Sequence, residues 1–245
     1  MGYTPNIENP KTLSEKILVR KLYDRRPILV ELTDKLKSKE WVTGRSEAIP
    51  VPNLEKVEYP CVVKPNNYSG ETYIVTTPET WIQVQDHFDE IKHVAFGQKA
   101  GSWAYSQIKF KVVIEPFLKG LRDVKFFCFN GKVKFLTILG QRDTITEEPL
   151  RPHDVPISYF SPNADLLPVT NRDRPRSYTE FPKDIDLQRM IDCAEKLSEE
   201  INFVRVDLYW CNGVIYYGEH TFYPSGGHFI IEPQTYDETF GDYWT

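Results

Sequence analysis

Apolar residues recur at helical spacing early in the chain. Leu13, Ile17 and Leu22 fall on one face behind Thr12-Leu-Ser-Glu15, a capping box. Pro27 restarts the pattern, with Leu29, Leu32 and Leu36 on one face before Gly44, so residues 11–43 predict a helical pair serving as scaffold. From Tyr59 the period shortens. Cys61-Val-Val-Lys64, a polar loop from Pro65 to Gly70, and Glu71-Thr-Tyr-Ile-Val-Thr76 read as strand, loop and strand. Thr77-Pro78 then caps a helix with Trp81, Val84, Phe88 and Ile91 as its stripe, and Val112 to Ile114 reads as a buried strand.

Asn130-Gly131 and Asn212-Gly213 each sit between strand-like runs and signal hairpins. Residues 143–183, rich in Pro, Asp and Arg and weak in periodicity, read as a long surface or substrate loop. A further helix is predicted over about 184–201, with Leu187, Met190, Ile191, Ala194, Leu197 and Ile201 on one face. Strands and helices alternate without a clean parallel repeat, so the fold class is α+β or mixed α/β.

The second hairpin carries Arg205 and Asp207 on its first strand and Glu219 and Thr221 on its second. A two-residue turn would set Val206 opposite Glu219 and leave Asp207 on the other face. A three-residue loop, Cys211-Asn212-Gly213, sets Arg205 opposite Glu219 and makes Asp207 its diagonal neighbour about 7–8 Å away, a span that one Mg²⁺ can bridge. The three-residue loop is therefore the expectation. The bland alternative is a solvated face with an exposed Arg205–Glu219 pair, worth under ~1 kcal/mol. Against it stands the small-residue loop through Ser225, Gly226 and Gly227, suited to close backbone approach by a ligand.

Composition narrows the options. With 245 residues, 40% hydrophobic, the chain can bury a full core. A net charge of −5 argues against a nucleic-acid partner. No run approaches the ~18 apolar residues of a membrane span, and MGYTPNIENP lacks the features of a signal peptide, so a cytoplasmic protein is expected. Cys61, Cys128, Cys193 and Cys211 lack CxxC spacing and read as small buried hydrophobes. Walker A, GxGxxG, protein-kinase and GxSxG motifs are absent, and the Asn67-Tyr-Ser69 sequon carries little weight.

The Asp207, Glu219, Thr221 and Pro224-Ser225-Gly226 series resembles the closing signature of the ATP-grasp superfamily. With Asn9-Pro-Lys-Thr-Leu-Ser-Glu-Lys16, Lys21-Leu-Tyr-Asp24, Lys125-Phe-Phe-Cys-Phe-Asn-Gly131 and Phe203-Val-Arg-Val-Asp-Leu-Tyr209, it resembles the TupA-like branch in particular, from about residue 9 onward. The resemblance implies an α+β ATP-grasp fold: two lobes gripping ATP between antiparallel sheets, with a reduced helical N-terminal region. Its expected division is residues 1–58 helical, 59–118 a small subdomain and 119–245 a large one. Thr221 stands where the superfamily usually has Asn.

The resemblance also implies roles. Lys64, Asn66, Ser69 and Gly70 would hold phosphates, and Glu115, Pro116, Phe117 and Leu118 would form an adenine hinge, although that stretch also reads as a strand ended by proline. Asp123 would face the ribose. Asp207, Glu219 and Thr221 would hold Mg²⁺, and Arg205 and Lys125 would be catalytic. Ser225, Gly226, Gly227 and Arg142 would face the substrate. Arg151, His153, Arg172, Arg174 and Arg176 are where recognition of an acidic sugar is expected. The implied reaction is ATP-dependent joining of a small-molecule or sugar-linked carboxylate to an amine, in cell-surface polysaccharide modification. The alternatives are a sugar-nucleotide-dependent glycosyltransferase and a non-catalytic ATP-binding module.

Overall fold

Thr12 opens the first helix as expected in the computed structural model, which describes residues 3–94, 96–99, 101–140, 155–172 and 174–245. Its hydroxyl accepts from the Glu15 N–H (3.1 Å), and the Glu15 carboxylate accepts from the Thr12 N–H (3.2 Å), capping α1 (Leu13–Tyr23). The predicted second helix is two: α2 (Pro27–Thr33) and α3 (Lys35–Val42). Asp34 breaks the run because its carboxylate caps α3 through the Leu36 N–H (3.0 Å), while its extended backbone ends α2. Leu13, Ile17, Leu29, Leu32 and Val42 all enter the main core.

After a short β1 (Ile49–Pro50), β2 (Cys61–Pro65) and β3 (Tyr73–Val75) lead into α4 (Pro78–Ile91), capped by Thr77. Two single-turn helices, α5 (Phe96–Lys99) and α6 (Trp103–Ser106), precede β4 (Val112–Pro116). The order β3-β2-β4, all antiparallel, makes a three-stranded sheet under α4 around Cys61, Val63, Val75, Val84 and Phe88. Because β4 is an edge, the run predicted as buried is only partly so: Val113 is buried but Val112 is 40% exposed.

Then come β5 (Arg122–Phe129), β6 (Lys132–Leu139), β7 (Ile157–Phe160), β8 (Thr170–Asn171), α7 (Leu187–Lys196), β9 (Phe203–Cys211), β10 (Val214–Thr221), β11 (Ile231–Glu232) and α8 (Thr235–Asp242). The large sheet has the order β1-β10-β9-β5-β6-β7, and β8 pairs with β11 in a separate ribbon. Residues 143–183 are thus not simply a loop. They contain β7, four buried residues whose run was too short for periodicity to betray. The predicted helix over 184–201 is shorter than its apolar pattern: Asp186 caps it at the Arg189 N–H, and after Lys196 the chain tightens into turns, although Leu197 and Ile201 stay buried.

All four cysteines are free and buried. Among the described residues no helix is long and apolar enough to cross a membrane.

Candidate active site

The large sheet sets five polar side chains in one row. Its register pairs Glu219 with Asp207, Asp207 with Lys125, Lys125 with Thr137, and Thr137 with Tyr159, across β10, β9, β5, β6 and β7. Residues paired across adjacent strands share a face, and all five line a cavity of about 1020 Å³ whose opposite wall includes Val62, Lys64 and Ile74 of the small sheet.

The hairpin reaches this register by a route that corrects the sequence expectation. The turn has two residues, not three: Cys211 pairs with Val214, and Asn212 and Gly213 both have positive φ (51° and 79°), as a two-residue turn of this kind requires. The shift comes later, at a bulge where Gly218 is the extra residue between Tyr217 and Glu219. Asp207 is therefore directly opposite Glu219 rather than diagonal to it, and Arg205 pairs with Thr221. Glycine is needed there because a Cβ would lie 2.8 Å from the Tyr209 ring and 3.0 Å from the Asp207 carbonyl oxygen.

Arg205 grips Asp207 with two nitrogens, Nε to Oδ1 (2.6 Å) and Nη2 to Oδ2 (2.7 Å), and reaches Thr221 Oγ1 (3.0 Å) and Glu219 Oε1 (3.4 Å). Thr221 donates to Glu219 Oε1 (2.9 Å). Lys125 donates to Asp207 (2.7 Å) and Asp123 (2.9 Å), and Lys35 stands 3.5 Å from Glu219. These cations divide the two carboxylates. Burial pushes Glu219 up, but Lys35, Arg205, Lys125 and Lys64 together outweigh it and hold the carboxyl at about 2. Burial dominates at Asp207 and raises it, against Arg205 and Lys125.

On the opposite wall Glu115 is buried between Lys64 (2.7 Å) and Lys39 (2.5 Å), and Lys39 also donates to Asn53 Oδ1 (2.5 Å). Burial favours the neutral acid, yet the two lysines hold Glu115 below the ordinary carboxylate range. Burial lowers Lys39 and Lys35. Glu115 Oε1 touches Lys39 without a well-directed hydrogen bond, so this buried oxygen retains acceptor capacity.

Of the residues expected from sequence, Lys64, Ser69, Gly70, Glu115, Pro116, Phe117, Leu118, Asp123, Lys125, Arg205, Asp207, Glu219 and Ser225 line the cavity. Asn66 does not. Its amide donates to Asp34 (3.0 Å) and the Lys109 carbonyl (3.2 Å), and its Oδ1 accepts from the Lys111 N–H (2.7 Å), so it fixes the loop from behind. Thr221 acts through Glu219. Gly226 and Gly227 lie outside the lining: the turn Pro224–Gly227 packs on α1, where a Cβ on Gly227 would sit 3.1 Å from Leu18. The close approach read from these glycines is to a helix. Arg174 lines the cavity, whereas Arg172 pairs with Glu232 (2.8 Å). Arg142, Arg151 and His153 lie outside the described residues.

Lys35 and Lys39 stand on α3, which its sequence marks only as scaffold. Lys35 lines the cavity and donates to the Tyr68 carbonyl in the loop (2.6 Å). Their i, i+4 spacing was a signal, but lysines on a short helix usually face water.

Chemically, two facing carboxylates form a hard-oxygen pair suited to a small dication, which would share the Asp207 oxygens with Arg205 and Lys125. Among the described residues no cluster of three or more His, Cys, Asp or Glu side chains could hold a metal by itself. A dication here would complete its shell with ligand oxygens and water.

The sequence matches the model of the TupA-like ATPgrasp family over residues 15–245. No curated protein matches it. Among solved structures it is similar to an L-amino acid ligase from Bacillus licheniformis, with 15% identity and a TM-score of 0.53 over 88% of this chain and 50% of that one. It is also similar to a D-alanine–D-alanine ligase from Bacillus anthracis, with 19% identity and a TM-score of 0.44 over 78% of this chain and 57% of that one. It thus spans about half the length of these proteins, and the likeness to the L-amino acid ligase is one of fold. The match over nearly the whole sequence means that the chain belongs to the TupA-like ATP-grasp family.

Proposed function

We propose that the chain is an ATP-dependent carboxylate–amine ligase working through an acyl phosphate. The observation that carries this reading is the Glu219–Asp207–Lys125 row, facing Lys64 and Glu115 across one cavity. It supports a triphosphate lying between the sheets, its metal end over the carboxylates.

Two features fit the ligand. Glu115 Oε1, beside Pro116, Phe117 and Leu118, touches Lys39 but has a second lone pair, which suits an adenine amino group. Asp207 and Glu219, the latter oriented by Thr221, suit Mg²⁺, which would neutralise phosphate charge when bound. Residues 59–118 and 119–245 would grip the nucleotide between them.

In the reaction, a carboxylate oxygen of the substrate attacks the γ-phosphorus and the bond to the β–γ bridging oxygen breaks, releasing ADP and leaving an acyl phosphate. An amine nitrogen then attacks the acyl carbon, phosphate departs, and the amine proton passes to solvent. Lys35 and Lys64 bind and orient phosphate oxygens, and Lys125 stands between the phosphates and the substrate carboxylate. Arg205, held by Asp207, faces charge developing at the transferred group. We place the reaction in the cytoplasm and its carboxylate on a cell-surface sugar. ADP and phosphate release over a panel of uronic acids, amino acids and nucleotide-linked sugars tests this. Carboxylate-dependent ADP release supports the ligase, whereas release of a nucleoside diphosphate from a sugar donor alone overturns it.

A further inference from the structure

The row across the large sheet continues past the residues the ligase reading uses. Thr137 stands between Lys125 on one side and Tyr159 on the other. It lines the cavity, is 1% exposed, and its Oγ1 has no hydrogen-bond partner among the described residues. Leaving a buried hydroxyl unpaired costs about 1–3 kcal/mol. Valine has nearly the same shape and suits a strand at least as well, so folding alone does not explain threonine here.

We infer that Thr137 Oγ1 is a substrate-binding group that donates a hydrogen bond to the carboxylate of the molecule to be activated. The chemical class follows from its neighbours. Lys125 Nζ, which donates to Asp207 (2.7 Å) and Asp123 (2.9 Å), has no acceptor capacity, so a ligand group lying over both residues presents acceptor oxygens, as a carboxylate does and an ammonium does not. Adjacent strands are about 4.8 Å apart, which sets Thr137 roughly 10 Å from Asp207. That leaves room for a phosphoryl group over the metal carboxylates and a carboxylate over Lys125 and Thr137. Beyond them Leu139, Ile157, Tyr159 and Phe229 supply an apolar and aromatic wall for the body of the substrate. The amine enters from elsewhere. The reacting end of the carboxylate is thus fixed by one cation and one neutral hydroxyl. The inference rests on the ligase reading only for the anion's fate after binding.

The test compares wild type with Thr137→Val and Thr137→Ser, using acetate as a bare carboxylate probe and D-glucuronate as one on a sugar ring, with a non-hydrolysable ATP analogue and Mg²⁺. Wild type is expected to bind at least one probe by isothermal titration. Thr137→Val should weaken that binding about tenfold, the worth of a hydrogen bond to a charged group, while Thr137→Ser retains it. Affinity for the ATP analogue should not change, and Thr137→Val should melt about 2–4 °C higher because an unpaired hydroxyl is gone. The inference is overturned if wild type binds neither probe, or if Thr137→Val binds as wild type does. Carboxylate binding sensitive to Thr137 but without ADP release would sink the ligase reading and leave this site standing. Carboxylate-dependent ADP release with an unchanged KM in Thr137→Val would do the reverse.

Discussion

Asp207 faces Glu219 directly because Gly218 adds one residue to β10, moving the pairing by one position between Tyr217 and Glu219. Without that bulge, the two-residue Asn212-Gly213 turn would put the carboxylates on opposite faces of the sheet. The facing carboxylates and the fold therefore meet at a glycine that does no chemistry.

Gly218→Ala is expected to damage both. The added methyl would be pressed against the Tyr209 ring and the Asp207 carbonyl, so strands or ring must move, at about 1–3 kcal/mol. Thermal melting and Mg²⁺-dependent ATP binding should both weaken. If neither changes, the bulge is not what aligns the carboxylates.

The buried triad of Lys39, Glu115 and Lys64 predicts a large stability effect from a residue outside the cavity lining. Lys39→Met leaves Glu115 with one cation, and breaking a buried pair costs up to about 3–5 kcal/mol. Urea unfolding should show a lower midpoint, partly restored in Lys39→Arg. A change within ~0.5 kcal/mol would mean that Lys64 alone compensates the charge.

His220 should make stability depend on pH. It is buried, with Nδ1 against the Tyr217 hydroxyl (2.6 Å) and Nε2 donating to the Leu197 carbonyl (3.0 Å). Burial lowers it from the usual 6.5 to about 4. A depressed folded value means that the unfolded chain takes up the proton first. This contribution is present above pH 6.5 and is lost as pH falls toward 4, on the order of 3 kcal/mol in all. A histidine NMR titration should find the His220 ring neutral at pH 5. A midpoint near 6.5 would refute the buried neutral ring.

Much of this was legible in the sequence. The caps at Thr12 and Thr77, both Asn-Gly turns and the residues on the carboxylate hairpin follow from local chemistry, and the structure shows them. The bulge had a signal too, since an isolated glycine within a strand often marks one, but the turn was made to carry the whole register shift. Lys35 and Lys39 were legible only as an i, i+4 pair on a helix, and Thr137 was not legible at all. Each acquires meaning only from strands distant in sequence, and a lysine on a helix or a threonine in a strand is ordinary until its neighbours are known. Asn66 and Gly227 erred the other way: the residue types suited a ligand, yet their partners are Lys109, Lys111 and Leu18.

We expect Asp207 and Glu219 to hold a metal-bound nucleotide. Isothermal titration of ATP into wild type, Asp207→Asn and Glu219→Gln, each with and without Mg²⁺, tests it most directly. Tight binding is expected only for wild type with Mg²⁺, with a loss of about tenfold or more in either variant. Equal ATP affinity in all three proteins, indifferent to Mg²⁺, would contradict it.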